Sequence, residues 1–222
     1  MSPLPYTIVV YVRRPLFVSI CLILLATSAL SAQGRAAVRP LLVCYGDSIT
    51  AGYGLQSGDS FPDALQRDLD SRGYHYKVRN QGTSGATTKD AVAGLNVILG
   101  LHPEIVIVEF GGNDGLRGLP LDQTLHNLDD VLSALEKAHI KILLAGITLP
   151  PNYGSDYIRQ FDQVFRELAT KHQVAFVPMI YKNMVNVAGT IQADGIHPTA
   201  KGSEIIAQTL LPVLAPLLRK GS

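Results

Sequence analysis

Leu41-Leu42-Val43-Cys44-Tyr45-Gly46-Asp47-Ser48-Ile49-Thr50 is an apolar run that passes without interruption into a glycine, a carboxylate and a serine. A continuous apolar run of this length reads as a strand covered on both faces. The hydroxyl of Ser48 then stands just past the strand's end, at the rim of a sheet, where open α/β folds keep their ligand crevices. Taken alone, Gly46-Asp47-Ser48 is equally a turn or a helix cap. What separates the readings is the set of residues that later segments bring to the same rim.

From Arg39 onward, strand-like and helix-like segments alternate. Tyr76 to Arg79 forms a short second strand, and Ile105 to Glu109, Lys141 to Gly146 and Val174 to Pro178 form three more. Between them, Ser60 reads as an N-cap with Pro62 in the first turn, opening a helix that Gly73 closes. A second helix runs through Ala91, Leu95 and Ile98 to Gly100. Leu121 to Ala138 carries leucines at 121, 125, 128, 132 and 135, a core-facing stripe at helical spacing. Ser155 caps a helix through Phe161, Val164, Phe165 and Leu168, and a last helix spans about Ala200 to Leu218 with a kink or break at Pro212. Five strands alternating with helices predict a parallel, doubly wound α/β sandwich, because parallel strands need right-handed crossovers. The strand order is not readable from this pattern. The pattern does put Ser48, the loop Asn80 to Thr87 that holds Gly85, and the loop Phe110 to Gly115 that holds Asn113 at carboxyl ends of parallel strands, on one sheet edge.

The 222 residues fit one domain, large enough to bury a sizeable core without staples. At the N-terminus, Arg13 and Arg14 precede the apolar run Leu16 to Leu30 and the small residues Ser31-Ala32-Gln33-Gly34. That is the pattern of an export signal over residues 1–32, cleaved near Ala32 or Gly34 and followed by a single domain over 39–218. The alternative is an uncleaved membrane anchor, since Tyr6 to Val12 is also apolar. The net charge is +1; without Arg13 and Arg14 the remaining 17 basic residues face 18 acidic ones, a net of −1. Such a balance offers no electrostatic footprint for nucleic acid. Cys44 is then the only cysteine of the mature chain, which excludes an intramolecular disulfide, and its place in an apolar strand reads as core packing.

A serine hydroxyl is a poor nucleophile until a base takes its proton. Of the six histidines, His75, His102, His126, His139 and His172 lie on helices or near element ends, where solvated or capping roles suit them. His197 differs: in Asp194-Gly195-Ile196-His197-Pro198 it precedes a helix, and Gly195 allows a bend that lets Asp194 reach one imidazole nitrogen while the other faces Ser48. The competing reading is that Asp194 and His197 only shape the helix entry. Acyl transfer also needs donors for a developing oxyanion. Candidates on the same edge are the backbone N–H of Ser48, the N–H of Gly85, where a missing side chain permits close approach, and the side-chain amide of Asn113. Leu116, Leu119 and Leu149 are candidates to line an acyl groove, against simple loop packing. No phosphate-binding glycine motif and no metal-ligand spacing is present.

Gly46-Asp47-Ser48, Gly85 in Asn-x-x-x-Ser-Gly, Gly111-Gly112-Asn113-Asp114 and Asp194-Gly195-Ile196-His197-Pro198 resemble, in order, the blocks of the SGNH (GDSL-like) hydrolases. Glu109 to Gly118 and Leu149 to Gly154 further resemble the branch of periplasmic multifunctional thioesterases, lysophospholipases and arylesterases. The resemblance implies a three-layer α/β/α fold of flavodoxin-like order and no cofactor. It implies Ser48 as nucleophile, His197 as base, Asp194 as its orienting acid, and Ser48, Gly85 and Asn113 as oxyanion hole. It implies small-molecule acyl esters or thioesters as substrates, membrane lipids among them, with no obligate protein partner. Two positions depart from that branch: Ala86 stands where an acid usually follows Ser-Gly, and Gln81-Gly82 replaces the usual Ala-Ser or Ala-Gly. Asp47 is expected to support its loop through hydrogen bonds. The expectation is an exported serine hydrolase; the alternatives are a carbohydrate O-acetylesterase on the same scaffold, or a non-catalytic flavodoxin-like module that binds a small anion.

Overall fold

A computed structural model describes residues 39–220 and, ahead of them, positions 1, 3, 4, 6 and 7. The signal segment expected over residues 1–32 therefore lies, apart from those five positions, outside the described residues. Five strands, β1 (Leu41–Gly46), β2 (Lys77–Gly82), β3 (Ile105–Glu109), β4 (Lys141–Ala145) and β5 (Ala175–Val177), form one all-parallel sheet in the order β2-β1-β3-β4-β5. This is the flavodoxin-like order. The helices are α1 (Ser48–Ala51), α2 (Phe61–Ser71), α3 (Thr88–Gly100), α4 (Gly112–Leu116), α5 (Leu121–Lys137), α6 (Ser155–His172) and α7 (Ala200–Leu214). On one side α2 packs against α7; on the other, α5 packs between α3 and α6. Right-handed crossovers dictate that division, because the chain steps outward once, from β1 to β2, and then only in the opposite direction.

The central strands are apolar because both faces are covered: every residue of β3 is buried, and β1 is buried from Leu42 to Gly46. Between β1 and β3 the strand order reverses, and a crevice opens at their carboxyl ends. Ser48 follows β1 and Asn113 follows β3, so both stand at that point.

Four local expectations change. β2 continues through Gly82, so the first three residues of the expected loop pair with β1, ending on Gly46 opposite Gly82. A Cβ on Gly82 would stand 2.2 Å from the Ala51 nitrogen, so the glycine is what lets α1 pack on this strand. The loop after β3 is one helical turn, α4. α6 begins at Ser155 itself, preceded by Gly154 and without a side-chain cap. Pro212 lies inside α7, which runs on to Leu214 before a tighter turn over Ala215–Leu217. Only the Pro212 amide bond is lost so close to the helix end, and the break falls after it. Among the described residues no helix is long and apolar enough to cross a membrane.

Candidate active site

The turn that carries Ser48 is built by its neighbours. Asp47 caps α1, its Oδ1 accepting the Ile49 N–H at 3.0 Å, and Gly52 ends the turn at φ +79°. Ser48, 9% exposed, is held at the mouth of the crevice with its N–H at the start of α1.

The histidine arrives from the loop before α7. Asp194 Oδ1 accepts two backbone N–H bonds, from Ile196 at 2.9 Å and His197 at 3.0 Å, folding the loop around Gly195 at φ +74°. Its Oδ2 stands 2.6 Å from His197 Nδ1, and His197 Nε2 stands 2.9 Å from Ser48 Oγ. The three side chains thus form one hydrogen-bonded line. Burial pushes the Asp194 carboxyl upward, but the Ile196 N–H, the His197 ring and the His197 N–H outweigh it and hold the group at about 2.

Residues that carried no recognisable signal fix this loop. Gln192 donates through Nε2 to the carbonyls of Tyr53, at 2.8 Å, and Pro198, at 2.9 Å, tying the histidine loop to the segment that follows Ser48. Tyr181 donates to the Ile196 carbonyl at 3.1 Å. The exposed ring of Tyr53 lies against the imidazole, with centroids 4.6 Å apart. A local window cannot reveal such contacts, since Gln192 and Tyr53 lie 139 residues apart.

The donors converge on the same rim. Gly85 is left-handed at φ +79°. Its carbonyl accepts from the Arg117 guanidinium at 2.9 Å, and the Ala86 carbonyl accepts from Asn113 Nδ2 at 2.9 Å. Asn113 and Arg117, one helical turn apart, therefore clamp two successive carbonyls of the Gly85 loop. Among the described residues, neither the Ser48 N–H nor the Gly85 N–H has an acceptor. Asn113 Nδ2 makes a second, longer contact, 3.2 Å to Asp47 Oδ2. Both of its hydrogens are engaged, so serving an oxyanion means releasing one, and the Asp47 contact is the weaker.

Beside this line lies an apolar cavity of about 280 Å³ lined by Leu116, Ile147, Leu149, Met179, Met184 and Ile196. Leu116 and Leu149 of the expected groove are there; Leu119 is not. The α4 turn carries Leu119 past the cavity to a separate depression with Thr87, Lys89 and His126. His172 also departs from expectation. Its side chain is 5% exposed, with Nε2 2.7 Å from Asp129 and Nδ1 2.9 Å from Glu136, so it staples α6 to α5 rather than meeting solvent. Among the described residues no group of three or more His, Cys, Asp or Glu is placed to hold a metal ion.

Known proteins resemble this chain in sequence and in fold. Residues 44–205 match the model of the GDSL-like Lipase/Acylhydrolase family. The chain is 38% identical over 206 residues to the esterase TesA of Pseudomonas aeruginosa, covering 92% of this chain and 100% of that one. It is 34% identical to the thioesterase 1/protease 1/lysophospholipase L1 of Escherichia coli, covering 85% and 89%. Among solved structures, the SGNH-hydrolase family esterase AlinE4 superposes with a TM-score of 0.68 at 37% identity, covering 82% of this chain and 97% of that one.

Proposed function

This chain belongs to the GDSL-like lipase/acylhydrolase family and is a carboxylic ester hydrolase, and from that premise we propose that it is exported and cleaves acyl esters and thioesters through an acyl-serine intermediate. The observation that carries the mechanism is the unbroken line from Asp194 through His197 to Ser48 Oγ.

In this reading Ser48 Oγ attacks the acyl carbon as its proton passes to His197 Nε2. The developing oxyanion is met by the N–H groups of Ser48 and Gly85 and by Asn113 Nδ2, which gives up its longer bond to Asp47. Asp194, bound to Nδ1, orients the ring and stabilises the imidazolium. The imidazolium then protonates the leaving alkoxide or thiolate. A water activated by the neutral ring releases the acid and restores Ser48. The cavity at Leu116 and Leu149 suits an acyl chain, and its apolar lining favours this over an acetyl group on a sugar. The lysophospholipase activity in the name of the Escherichia coli relative extends the proposed substrates to single-chain lipids. Export is supported by the signal pattern of residues 1–32.

The test is turnover of p-nitrophenyl esters and acyl-CoA thioesters over a chain-length series. Ser48→Ala is expected to lower kcat roughly 10⁴- to 10⁶-fold with the fold intact. Equal rates for wild type and Ser48→Ala would end the serine mechanism.

A further inference from the structure

Beneath the nucleophile lie two carboxyl groups that the reaction above does not use. Glu109, the last residue of β3, pairs across the ladder with Gly46. Its side chain passes over the bare Cα of that glycine, where a Cβ would stand 2.7 Å from Glu109 Oε2 and 2.0 Å from Thr50 Oγ1. Thr50 Oγ1 donates to Oε2 at 2.7 Å. The other oxygen, Oε1, is buried and, among the described residues, receives no donor. Asp47, like Glu109 only 1% exposed, is its immediate neighbour at the strand ends, where the Asp47 N–H donates to the Glu109 carbonyl at 3.2 Å.

A buried carboxylate oxygen without a donor is costly, and two buried carboxylates in contact do not both ionise. One proton on Oε1 answers both objections, since it turns the orphan acceptor into a donor and leaves a single negative charge on the pair. Asp47 is the better holder of that charge. Its Oδ1 takes the Ile49 N–H and its Oδ2 faces Asn113 Nδ2.

We propose that Glu109 is a neutral acid at neutral pH whose Oε1–H donates to the Asp47 carboxylate, making it a positioning residue for ester hydrolysis. Through Asp47 it steadies both the cap of the Ser48 turn and the amide of Asn113; this catalytic consequence rests on the proposed oxyanion hole, whereas the proton itself does not. The electrostatics agree. Burial first and the Asp47 charge second push Glu109 well above its ordinary range, against the pull of the Thr50 hydroxyl. Asp47 is raised by burial too, but only to about 6, because Ile49, Asn113, His197 and Glu109 favour its charged form. Among the described residues, the other titratable groups that face the pair are Cys44 in β1, Tyr181 beyond β5, and His197. None is a permanent cation that would hold a second charge.

Infrared difference spectra of Ser48→Ala and Ser48→Ala/Glu109→Gln at neutral pH read the proton without any turnover. The carboxylic-acid carbonyl band is expected in the first protein and lost in the second; a band unchanged by the substitution, or absent from both, overturns the proposal. The same two proteins give a second reading. An acid whose value is raised on folding costs stability as pH climbs above the ordinary carboxylate range. The thermal midpoint of Ser48→Ala should therefore fall more steeply from pH 5 to 9 than that of the Gln protein, and parallel curves would overturn the assignment. In otherwise wild-type enzyme, Gln keeps a donor for Asp47 and should hold kcat within about three-fold. Leu removes it and should lower kcat about ten-fold or more with little change in KM. Equal losses for Gln and Leu would show that the carboxylate charge matters rather than the donated hydrogen. If Ser48→Ala kept full turnover, the serine mechanism would fall, while the infrared and stability comparisons would still decide where the proton sits.

Discussion

Asp194 shows how one side chain serves geometry and charge at once. Three contacts fix it across the short chain span around Gly195: two backbone N–H bonds to one oxygen and the imidazole on the other. Held at about 2, it is ionised throughout the range in which enzymes work, so loss of activity toward acid does not begin with this group. Asp194→Asn keeps the size and loses the charge that, in the proposed mechanism, stabilises the imidazolium, and kcat should fall roughly 10⁴-fold. The linkage has a definite sign. A carboxyl depressed on folding lends stability above its unfolded value and loses it as pH falls through the folded one. The stability gap between wild type and Asp194→Asn, followed by thermal midpoint, should therefore close as pH drops from about 4 to about 2. With the side chain 37% exposed, solvent screening keeps that gap small.

At the scale of elements, α4 joins the two halves of the site. One of its faces clamps the Gly85 loop through Asn113 and Arg117. Another gives Leu116 to the cavity, and Tyr153 donates to the Leu116 carbonyl at 2.8 Å. Gly115 makes room on that side, since a Cβ there would stand 2.7 Å from Leu149 Cδ2 and 2.8 Å from Phe161 Cε2. Gly115→Ala should drive Leu149 into the cavity and lower kcat/KM for long p-nitrophenyl esters several-fold more than for the acetate. An equal effect on all chain lengths would place acyl chains elsewhere. This is also the element that the sequence concealed. Three glycines among Gly111 to Gly115 read as loop, because propensity argues against helix there; burial of Gly112, Asp114 and Gly115 overrides it. Leu119 lies at the separate depression for the same reason, since an extended loop and a helical turn aim the residues after them differently. β1, β3 and β4 were legible because burial on both faces leaves unbroken apolar runs, such as Ile105 to Val108 and Ile142 to Ala145. The end of β2, an edge strand written Arg79-Asn80-Gln81-Gly82, exposes Arg79 and Asn80, buries none of the four fully, and looks like its neighbouring loop.

The whole molecule separates what is local in sequence from what only topology supplies. Asp194 and His197 lie three residues apart and could be paired on paper, whereas Ser48 meets His197 across 149 residues. That meeting, like the stacking of Glu109 over Gly46, depends on the order β2-β1-β3-β4-β5, which no periodicity reveals. Among the described residues, every hydrogen bond of the site is made within the domain that begins at Arg39. A chain starting at Gly34 should therefore fold and turn over p-nitrophenyl esters with kcat and KM within about two-fold of the processed enzyme. The full-length chain, expressed with its first 32 residues, should yield activity outside the cytoplasm and a product whose N-terminus lies near Ala32 or Gly34. Mass spectrometry of the intact enzyme from each cell fraction checks this. An uncut chain recovered with membranes would make residues 1–32 an anchor, and a fully cytoplasmic, uncut chain would end the proposal of export while leaving the hydrolase domain unchanged.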